Sequence, residues 1–464
     1  MTGRPRAESA LVWCLLLLLG AGILYPLLQV LRVAVIVDGM PSAAPLLAFF
    51  ARPLFREALL NSVAAGVLAV ALGSLIAVPL ALVTVRYSFP GRSLLTTLGL
   101  LPLSLPGYAA GALLTFIRVI DDLGTPLMLN YTKLLAPQAY VRVTTVGLTD
   151  VDGYVICAVL VALSLFALWI SKGILGRGIF TSVGRSGAAP AVALGGSGTL
   201  AVWAIAILLL GPALLPHLGI AILSVSKVWS LSPLPSVYTL SNYGEILFRA
   251  PHFIWNTVRY ALLAAALDVG LGAVIAWLLL RGQARGRQWL DAIATMPLAV
   301  PGVVLAVGYL RVFHGWSVPG LGAPLTSTWL ILVIVYAVRR LPYTVRGAYA
   351  ALQQLPLALE EAAQNLGANR ARAFVKVTLP LMGRGLLAGG LLAFVSSAVD
   401  LSSTILLVPH VELEPLSYGI YVYMQSAVGR GPGAALGVVA IVLVAAGTWL
   451  ATRLTRGGAG LFRV

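Results

Sequence analysis

Apolar runs of about twenty residues recur along this chain, and most end at arginine or lysine. A helix of that length matches the thickness of the hydrocarbon core of a bilayer. Because the bilayer core offers no water to unpaired backbone groups, such runs are stable there as helices. The chain is 59% hydrophobic and 10% charged over 464 residues, values that soluble globular domains do not reach. The sequence therefore predicts an all-α membrane protein, a polytopic helical bundle.

About ten runs are predicted to be spans. Cationic residues favour the cytosolic side of a membrane, so the arginines set the direction of each crossing. Arg4 and Arg6 precede the first run, which is too long for a typical signal-peptide core, so a retained span and a cytosolic N-terminus are predicted. The predicted spans are residues 11–31, 59–85, 94–120, 154–170, 200–225, 256–280, 290–313, 329–338 with its flanks, 385–408 and 434–450. The span at 329–338 is predicted to reach the cytosolic side at Arg339, Arg340 and Arg346.

The formal net charge is +16, which in a soluble protein would suggest nucleic acid as a partner. Here the basic residues flank apolar runs, so the rule that places cations on the cytosolic side explains them and no nucleic acid is expected. Cys14, Cys157 and four scattered histidines form no spaced ligand set, so no metal site is expected. No lysine stands in the Gly-Lys-Ser/Thr context of a phosphate-binding loop. The chain is therefore not expected to be an enzyme.

The two halves of the chain repeat each other in parallel. Five matches share one constant spacing along the chain: Asn61 and Asn256, Arg86 and Arg281, Gly91-Arg92 and Gly286-Arg287, Pro102 and Pro297, and Pro106-Gly107 and Pro301-Gly302. Parallel internal repeats are typical of transporters, in which the pathway lies between the repeats. The predicted division is a first repeat at residues 1–177, a cytosolic linker at 178–197 and a second repeat at 198–464.

The repeat changes register after Gly107. Beyond this point a second and larger spacing holds, which is shared by Gly111 and Gly389, Phe116 and Phe394, and Asp122 and Asp400. The first repeat therefore lacks a segment between Gly107 and Ala110, equivalent to the rest of one span, a whole further span and the loop that follows it. A deletion in the gene or an error in the gene model is the plainer cause of this gap. A protein that is asymmetric by design is the alternative.

One segment between two predicted spans has the pattern of two short amphipathic helices. Pro356 suits a first helical turn, Gly367 a left-handed stop, Asn369 an N-cap, and Pro380 the end of the second helix. In the second helix the apolar stripe comprises Ala371, Phe374, Val375 and Thr378. The bland interpretation is a surface helix that lies on its own membrane domain.

The spacing of this segment resembles the EAA loop of binding-protein-dependent importer permeases, the membrane subunits of ABC transporters. The resemblance implies a type I ABC importer permease fold, with the coupling loop at residues 349–382 seated in a cleft of an ATPase subunit. ATP and magnesium would then be held by that ATPase, with no cofactor in this chain. The matching positions are Glu361, Ala362, Ala363, Gly367, Leu379 and Pro380.

The whole layout looks like the fused permeases of ferric iron importers, in which two six-span halves share one chain. That resemblance implies a bacterial inner-membrane protein that takes ferric iron from a periplasmic binding protein. Similar fused halves occur in thiamine and aminoethylphosphonate importers, and polyamine remains a further alternative. The chain departs from this pattern because it has one EAA loop where two are expected.

Several residues inside the apolar runs are candidates for the pathway. Asp268 is an ionisable group at membrane depth, which marks either a polar cavity or an internal strut. Repeat-related prolines are expected to kink two spans and free backbone groups, although kinks also serve packing. Asp122 and Asp400 are interpreted as solvated helix ends on the outer side. The pathway candidates are Pro102, Pro106, Gly107, Pro297, Pro301, Gly302 and Asp268.

The rival function is a secondary transporter driven by an ion gradient. Such a transporter needs intramembrane acidic or basic pairs for ion coupling, and Asp268 is the clear candidate in the sequence. The EAA-like loop has no role in that mechanism. The sequence therefore favours an importer permease over the ion-driven transporter.

Overall fold

The computed structural model describes residues 4–92, 108–177, 192–229, 232–317, 322–426 and 429–456. These residues form a helical bundle, as the apolar runs predict. The α-helices are α1 Arg4–Leu19, α2 Tyr25–Val35, α3 Ala44–Ala51, α4 Pro53–Arg86, α5 Tyr108–Asp121, α6 Gly124–Met128, α7 Leu135–Thr145, α8 Val151–Arg177, α9 Gly196–Ser224, α10 Ser241–Gly244, α11 His252–Arg281, α12 Arg287–Thr295, α13 Gly302–Phe313, α14 Leu330–Gln353, α15 Ala358–Asn365, α16 Arg370–Ala373, α17 Leu379–Ala398, α18 Thr404–Leu407, α19 Leu416–Gln425 and α20 Gly431–Arg456.

Short irregular and extended segments connect these helices. Three π-helical turns, Gly20–Leu24, Glu245–Arg249 and Phe374–Thr378, continue neighbouring helices. Three 3-10 turns lie at Met296–Leu298, Leu325–Ser327 and Val411–Leu413. The strands pair as β1 Ile36–Val37 with β2 Met40–Pro41 antiparallel, β3 Tyr87–Ser88 with β4 Val192–Ala193 parallel, and β5 Ser226–Val228 with β6 Val237–Tyr238 antiparallel.

Seven helical stretches among the described residues are long and apolar enough to cross a membrane, and one bent helix pair raises the number to eight. About ten spans were expected. Residues 94–107 of the third predicted span lie outside the described residues, and the remainder forms α5. The predicted span at 329–338 is the start of α14, which is 24 residues long and carries three arginines. Length and hydropathy alone therefore identify fewer spans than the sequence suggested.

The predicted span at residues 290–313 is wrong as a single kinked helix. It consists of two helical pieces, Arg287–Leu298 and Gly302–Phe313, and the chain bends by 109° between their axes. Pro297 and Pro301 lie at this break, and neither has an N–H to continue a helical ladder. The second piece is α13, and its residues from Gly302 to Tyr309 are buried. The chain therefore turns sharply here instead of crossing in one line.

Positions that match between the two predicted repeats make matching contacts. The Asn61 side chain donates to the carbonyl of Lys133 at 3.1 Å, and the Asn256 side chain donates to that of Glu414 at 3.2 Å. One residue further on, Ser62 Oγ accepts from the N–H of Leu135, and Thr257 Oγ1 accepts from that of Leu416. Leu135 and Leu416 are further apart in sequence than Ser62 and Thr257, which contact them. The larger spacing agrees in direction with the change of register after Gly107.

The second repeat packs through small residues where α11, α14 and α17 meet. A Cβ built at Gly347 would lie 2.8 Å from the carbonyl oxygen of Gly385, and one at Gly389 would lie 2.8 Å from that of Tyr343. Small residues let membrane helices approach closely, which maximises their van der Waals contact. The helices on either side of the EAA-like loop are thus held firmly together.

Candidate functional site

The loop between α14 and α17 has the predicted helix–turn–helix geometry. α15 ends at Asn365, and Gly367 has φ +91, a left-handed conformation. Asn369 caps the next helix, because its Oδ1 accepts a hydrogen bond from the N–H of Arg372 at 2.8 Å. The predicted glycine stop and N-cap are confirmed, whereas the function of the loop remains a prediction.

The end of the second helix was predicted wrongly. Pro380 is the second residue of α17 and does not end a helix. The stretch Arg370–Ala398 is a single candidate span, and the π-helical turn Phe374–Thr378 joins its two parts. A π-helical turn accommodates local defects in the hydrogen-bond ladder, such as the N–H that proline lacks. A displacement of the loop can therefore pass directly into the membrane helix.

Glu360, which the sequence analysis overlooked in favour of Glu361, anchors the loop to the end of α11. It is 7% exposed and pairs with Arg281 at 3.5 Å. Trp277 Nε1 donates to the Glu360 carboxylate at 3.4 Å, and Arg281 also donates to the carbonyl of Leu355. The ring of Phe374 lies 5.5 Å from that of Trp277. The partners of Glu360 lie far from it in the chain, so no local sequence pattern indicated this role.

The opposite face of the loop is exposed. Leu366 is 91% exposed and Val375 is 52% exposed, and Glu361 and Ala362 are exposed beside them. Of the predicted apolar stripe, Phe374 and Thr378 pack inward, whereas Ala371 and Val375 are exposed. Arg370 pairs with Glu8 of α1, which ties the exposed turn to the first repeat. The loop thus offers an exposed surface with apolar side chains and charges of both signs, on a support fixed to α11.

A cavity of about 760 Å³ lies between the repeats. Its wall takes residues from the first repeat, including Arg118, Asp121 and Met128, and from the second, including Arg340 and Asp400. Most of the wall is apolar, and the charged groups are concentrated on one part of it. Position and chemistry together make this cavity the candidate pathway.

A buried charge cluster joins the repeats at this wall. Arg339 Nη2 donates to Asp121 Oδ2 at 2.7 Å, and Arg339 Nη1 donates to both oxygens of Asp400 at 2.6 and 2.7 Å. The other Asp121 oxygen accepts from the N–H of Gly302, at the break before α13. Arg340 lies 3.4 Å from Asp400. Every charge in the cluster therefore has an opposite partner, as burial requires.

Two expectations about these charges were wrong. Asp400 is 6% exposed and is not a solvated helix end, because Arg339, Arg340 and Ser403 surround its carboxylate. Arg339 and Arg340 do not mark the cytosolic end of a span, since α14 continues well beyond them, to Gln353. Two arginines and two aspartates inside apolar runs were the available signal, and it pointed to pairing within the membrane.

The pathway candidates lie in different places. Pro102, Pro106 and Gly107 fall outside the described residues. Pro297 and Pro301 are buried at the bend, and Gly302 contacts Asp121 and Arg339 beside the cavity. Asp268 is fully buried, and neither of its oxygens has a hydrogen-bond partner among the described residues. The assignment of these residues to the pathway remains a prediction.

The loops that follow the charge cluster differ in charge between the repeats. In the first repeat Lys133 pairs with Glu57 at 2.8 Å, and this carboxylate raises the pKa of Lys133. In the second repeat, burial raises the pKa of Glu414 to about 7. The equivalent loops therefore present a firmly charged lysine on one side and a carboxyl that titrates near neutral pH on the other.

Comparison with known proteins identifies the family. Residues 268–457 match the family described as binding-protein-dependent transport system inner membrane component. A molybdenum transport system permease protein of Escherichia coli is 33% identical over 224 residues, which cover 44% of this chain and 96% of that protein. A sulfate transport system permease protein of Salmonella typhimurium is 32% identical over 176 residues, covering 36% of this chain and 64% of that protein.

A ferric transport system permease protein of Actinobacillus pleuropneumoniae is 26% identical over 331 residues. The alignment covers 66% of this chain and 44% of that protein, so the chain spans about half the length of this relative. The family match includes the helix–turn–helix loop, and the molybdenum permease aligns over almost its whole length. The chain therefore belongs to the binding-protein-dependent permeases, the multi-pass membrane components of ABC importers.

Proposed function

We propose that this chain is the permease subunit of an ATP-driven importer in the bacterial inner membrane. It takes a small solute from a periplasmic binding protein, and a separate ATPase subunit that holds ATP and magnesium drives it. The observation that carries this proposal is the loop at residues 349–382. Its inner face is fixed to α11 through Glu360, and its outer face exposes Glu361 and Leu366. That surface suits docking to a protein groove.

Ferric iron is the proposed solute. The ferric relative aligns with a larger share of this chain than the molybdenum or sulfate relatives, 66% against 44% and 36%. The test is ATP-dependent uptake of labelled ferric iron, molybdate and sulfate into vesicles that contain the permease, its ATPase and its binding protein. Uptake of ferric iron that an excess of either oxyanion leaves unchanged supports the proposal, and uptake of an oxyanion alone contradicts it.

Replacing Gly367 with valine is expected to weaken ATPase docking. The left-handed conformation costs a residue with a Cβ about 1–2 kcal/mol, and a β-branched residue suffers more. No atom lies within 4 Å of a Cβ built at Gly367, so the cost arises from the backbone alone. Recovery of ATPase with the purified permease is expected to fall by about 5- to 30-fold.

Gly383→Val is the matched control. A Cβ at Gly383 also meets nothing within 4 Å, but this residue lies in α17 and has no positive φ. The control is therefore expected to recover ATPase as the wild type does. Equal recovery for Gly367→Val and the wild type would show that the turn is not part of the docking surface.

Cysteines at Thr132 and Glu412 are expected to face the periplasm. Both positions are exposed and lie in the equivalent loops of the two repeats. In a variant that lacks Cys14 and Cys157, an impermeant thiol reagent should label both sites in intact spheroplasts. Labelling that appears only after lysis would reverse the proposed orientation and place the N-terminus outside the cytosol.

A further inference from the structure

Two polar contacts cross from the first repeat to the second on one side of α5. Asp121 accepts from Arg339, and Arg118 donates to the hydroxyl of Tyr343. Arg118 and Asp121 are three residues apart and are therefore neighbours on the helix surface. Both line the cavity. The two contacts thus close one wall of the cavity by joining α5 to α14.

Each charged group in these contacts either has, or can reach, a second partner within its own repeat. Arg339 also donates twice to Asp400, and both residues belong to the second repeat. Asp121 and Arg118 carry opposite charges one turn apart on α5, close enough on the helix surface for a pair to form. If α5 moves away from α14, Arg118 can pair with Asp121 while Arg339 remains with Asp400. The separation leaves no buried charge without a partner, so the main penalty for breaking an ion pair is avoided.

Much of the apolar contact between the repeats lies away from the cavity, although Ile120 and Leu123 beside Asp121 belong to the same core. The core shared by α2, α8, α13 and α14 includes Val30, Ile156 and Val304, and none of these residues lines the cavity. Separating these apolar side chains would expose them without giving them new contacts. This core is therefore expected to stay closed while the polar wall opens. The contacts between the repeats that can exchange partners are therefore the polar contacts of α5 with α14.

We propose that Asp121–Arg339 and Arg118–Tyr343 form a gate between the repeats, which opens by exchange of ion-pair partners. The closed gate is the arrangement in this structure. In the open gate Arg118 pairs with Asp121 and Arg339 pairs with Asp400 alone. This inference rests on the proposed transport function. α14 leads directly into the helix–turn–helix loop, so ATPase closure acts on the residues that hold the gate.

A disulfide next to the gate reports its state. Leu401 Cβ lies 3.8 Å from the Cβ that a side chain at Gly124 would have, within the usual range for a disulfide. Gly124 and Leu401 lie on opposite sides of the gate and both line the cavity. Gly124→Cys with Leu401→Cys, in a chain that lacks Cys14 and Cys157, is expected to cross-link under mild oxidation.

The first measurement compares the rate of cross-linking in the complex with ATPase, with and without a non-hydrolysable ATP analogue. The analogue is expected to slow cross-linking by roughly 5- to 150-fold, the range of typical coupling between sites. Equal rates in a complex that hydrolyses ATP would overturn the gate and leave the proposed function intact. If no ATPase binds the permease, the proposed function itself fails.

The second measurement needs no ATPase during cross-linking. Tyr343→Phe removes the hydroxyl to which Arg118 donates in the closed gate alone, and the cross-linking rate is expected to fall by about 5-fold or more. Tyr349→Phe is the matched control, because Tyr349 lies on the same helix but packs against a cluster away from the gate. The ATPase recovered with each variant shows that its loop is folded. A Tyr343→Phe variant that cross-links as fast as the control would overturn the proposal.

Discussion

Replacement of Arg339 with leucine is expected to lower the free energy of unfolding by about 3–5 kcal/mol, the cost of removing one partner from a buried ion pair. Arg339 is 4% exposed and donates to two carboxylates from different repeats. Its loss leaves Asp121 with only the N–H of Gly302 among the described contacts of its carboxylate. Asp400 keeps Arg340 at 3.4 Å. Most of the lost stability is therefore expected to come from the Asp121–Arg339 ion pair between the repeats.

Arg346→Leu on the same helix provides the control. Arg346 pairs with Asp291 at 3.1 Å, and the two side chains are 50% and 41% exposed, so its loss should cost no more than about 1 kcal/mol. The measurement is a denaturant titration in bicelles that follows the reaction of buried Cys157 with a thiol dye in a Cys14→Ser background. Equal unfolding midpoints for the two variants would mean that the cluster contributes little to stability.

Local patterns predicted most of the helices and the turn of the loop. Hydropathy identified α4, α8, α9, α11 and α20 to within about four residues, apart from the start of α4 and the C-terminal ends of α8 and α20. These elements were found because each has a continuous apolar surface. Gly367 and Asn369 were identified because a left-handed residue and an N-cap each require particular side chains. These are short-range requirements, and the sequence states them directly.

The charge cluster depends on residues far apart in the chain, and local patterns do not reveal it. Asp121 and Arg339 are 218 residues apart, and Arg339 and Asp400 are 61 apart. The rule that arginines end spans on the cytosolic side was applied to Arg339 and Arg340, where pairing inside the bundle overrides it. The sharp bend at Pro297 and Pro301 was underestimated for a similar reason, since proline patterns predict a kink but not its angle.

The repeat-related helices α4 and α11 are packed to different extents, as a gap in the first repeat would cause. α4 and α11 are equivalent helices, yet 6% of the most apolar stretch of α4 is buried, against 44% in α11. α11 packs on α14 and α17, and α14 belongs to the segment that the change of register predicts to be missing from the first repeat. Loss of that segment would remove both a helix that covers α4 and a second coupling loop.

A chain with one coupling loop is expected to dock one side of a two-ATPase motor and to transport its solute weakly or not at all. Two loops on one scaffold would hold an ATPase dimer bivalently, and bivalent attachment typically strengthens binding by about 10²–10⁴. Transplanting residues Val303 to Leu387 in place of Tyr108 and Ala109 restores the segment that the change of register marks as missing. The repaired chain is expected to bind an ATPase dimer more tightly by that factor and to take up solute at least about tenfold faster, measured as ATP-driven uptake into vesicles with equal amounts of permease. The control is the same transplant with Gly367 of the inserted copy replaced by valine, which supplies the packing but not the turn. If the unrepaired chain already binds two ATPases and transports as fast as the repaired one, the single loop drives both repeats, and the gap is a working asymmetry rather than a loss.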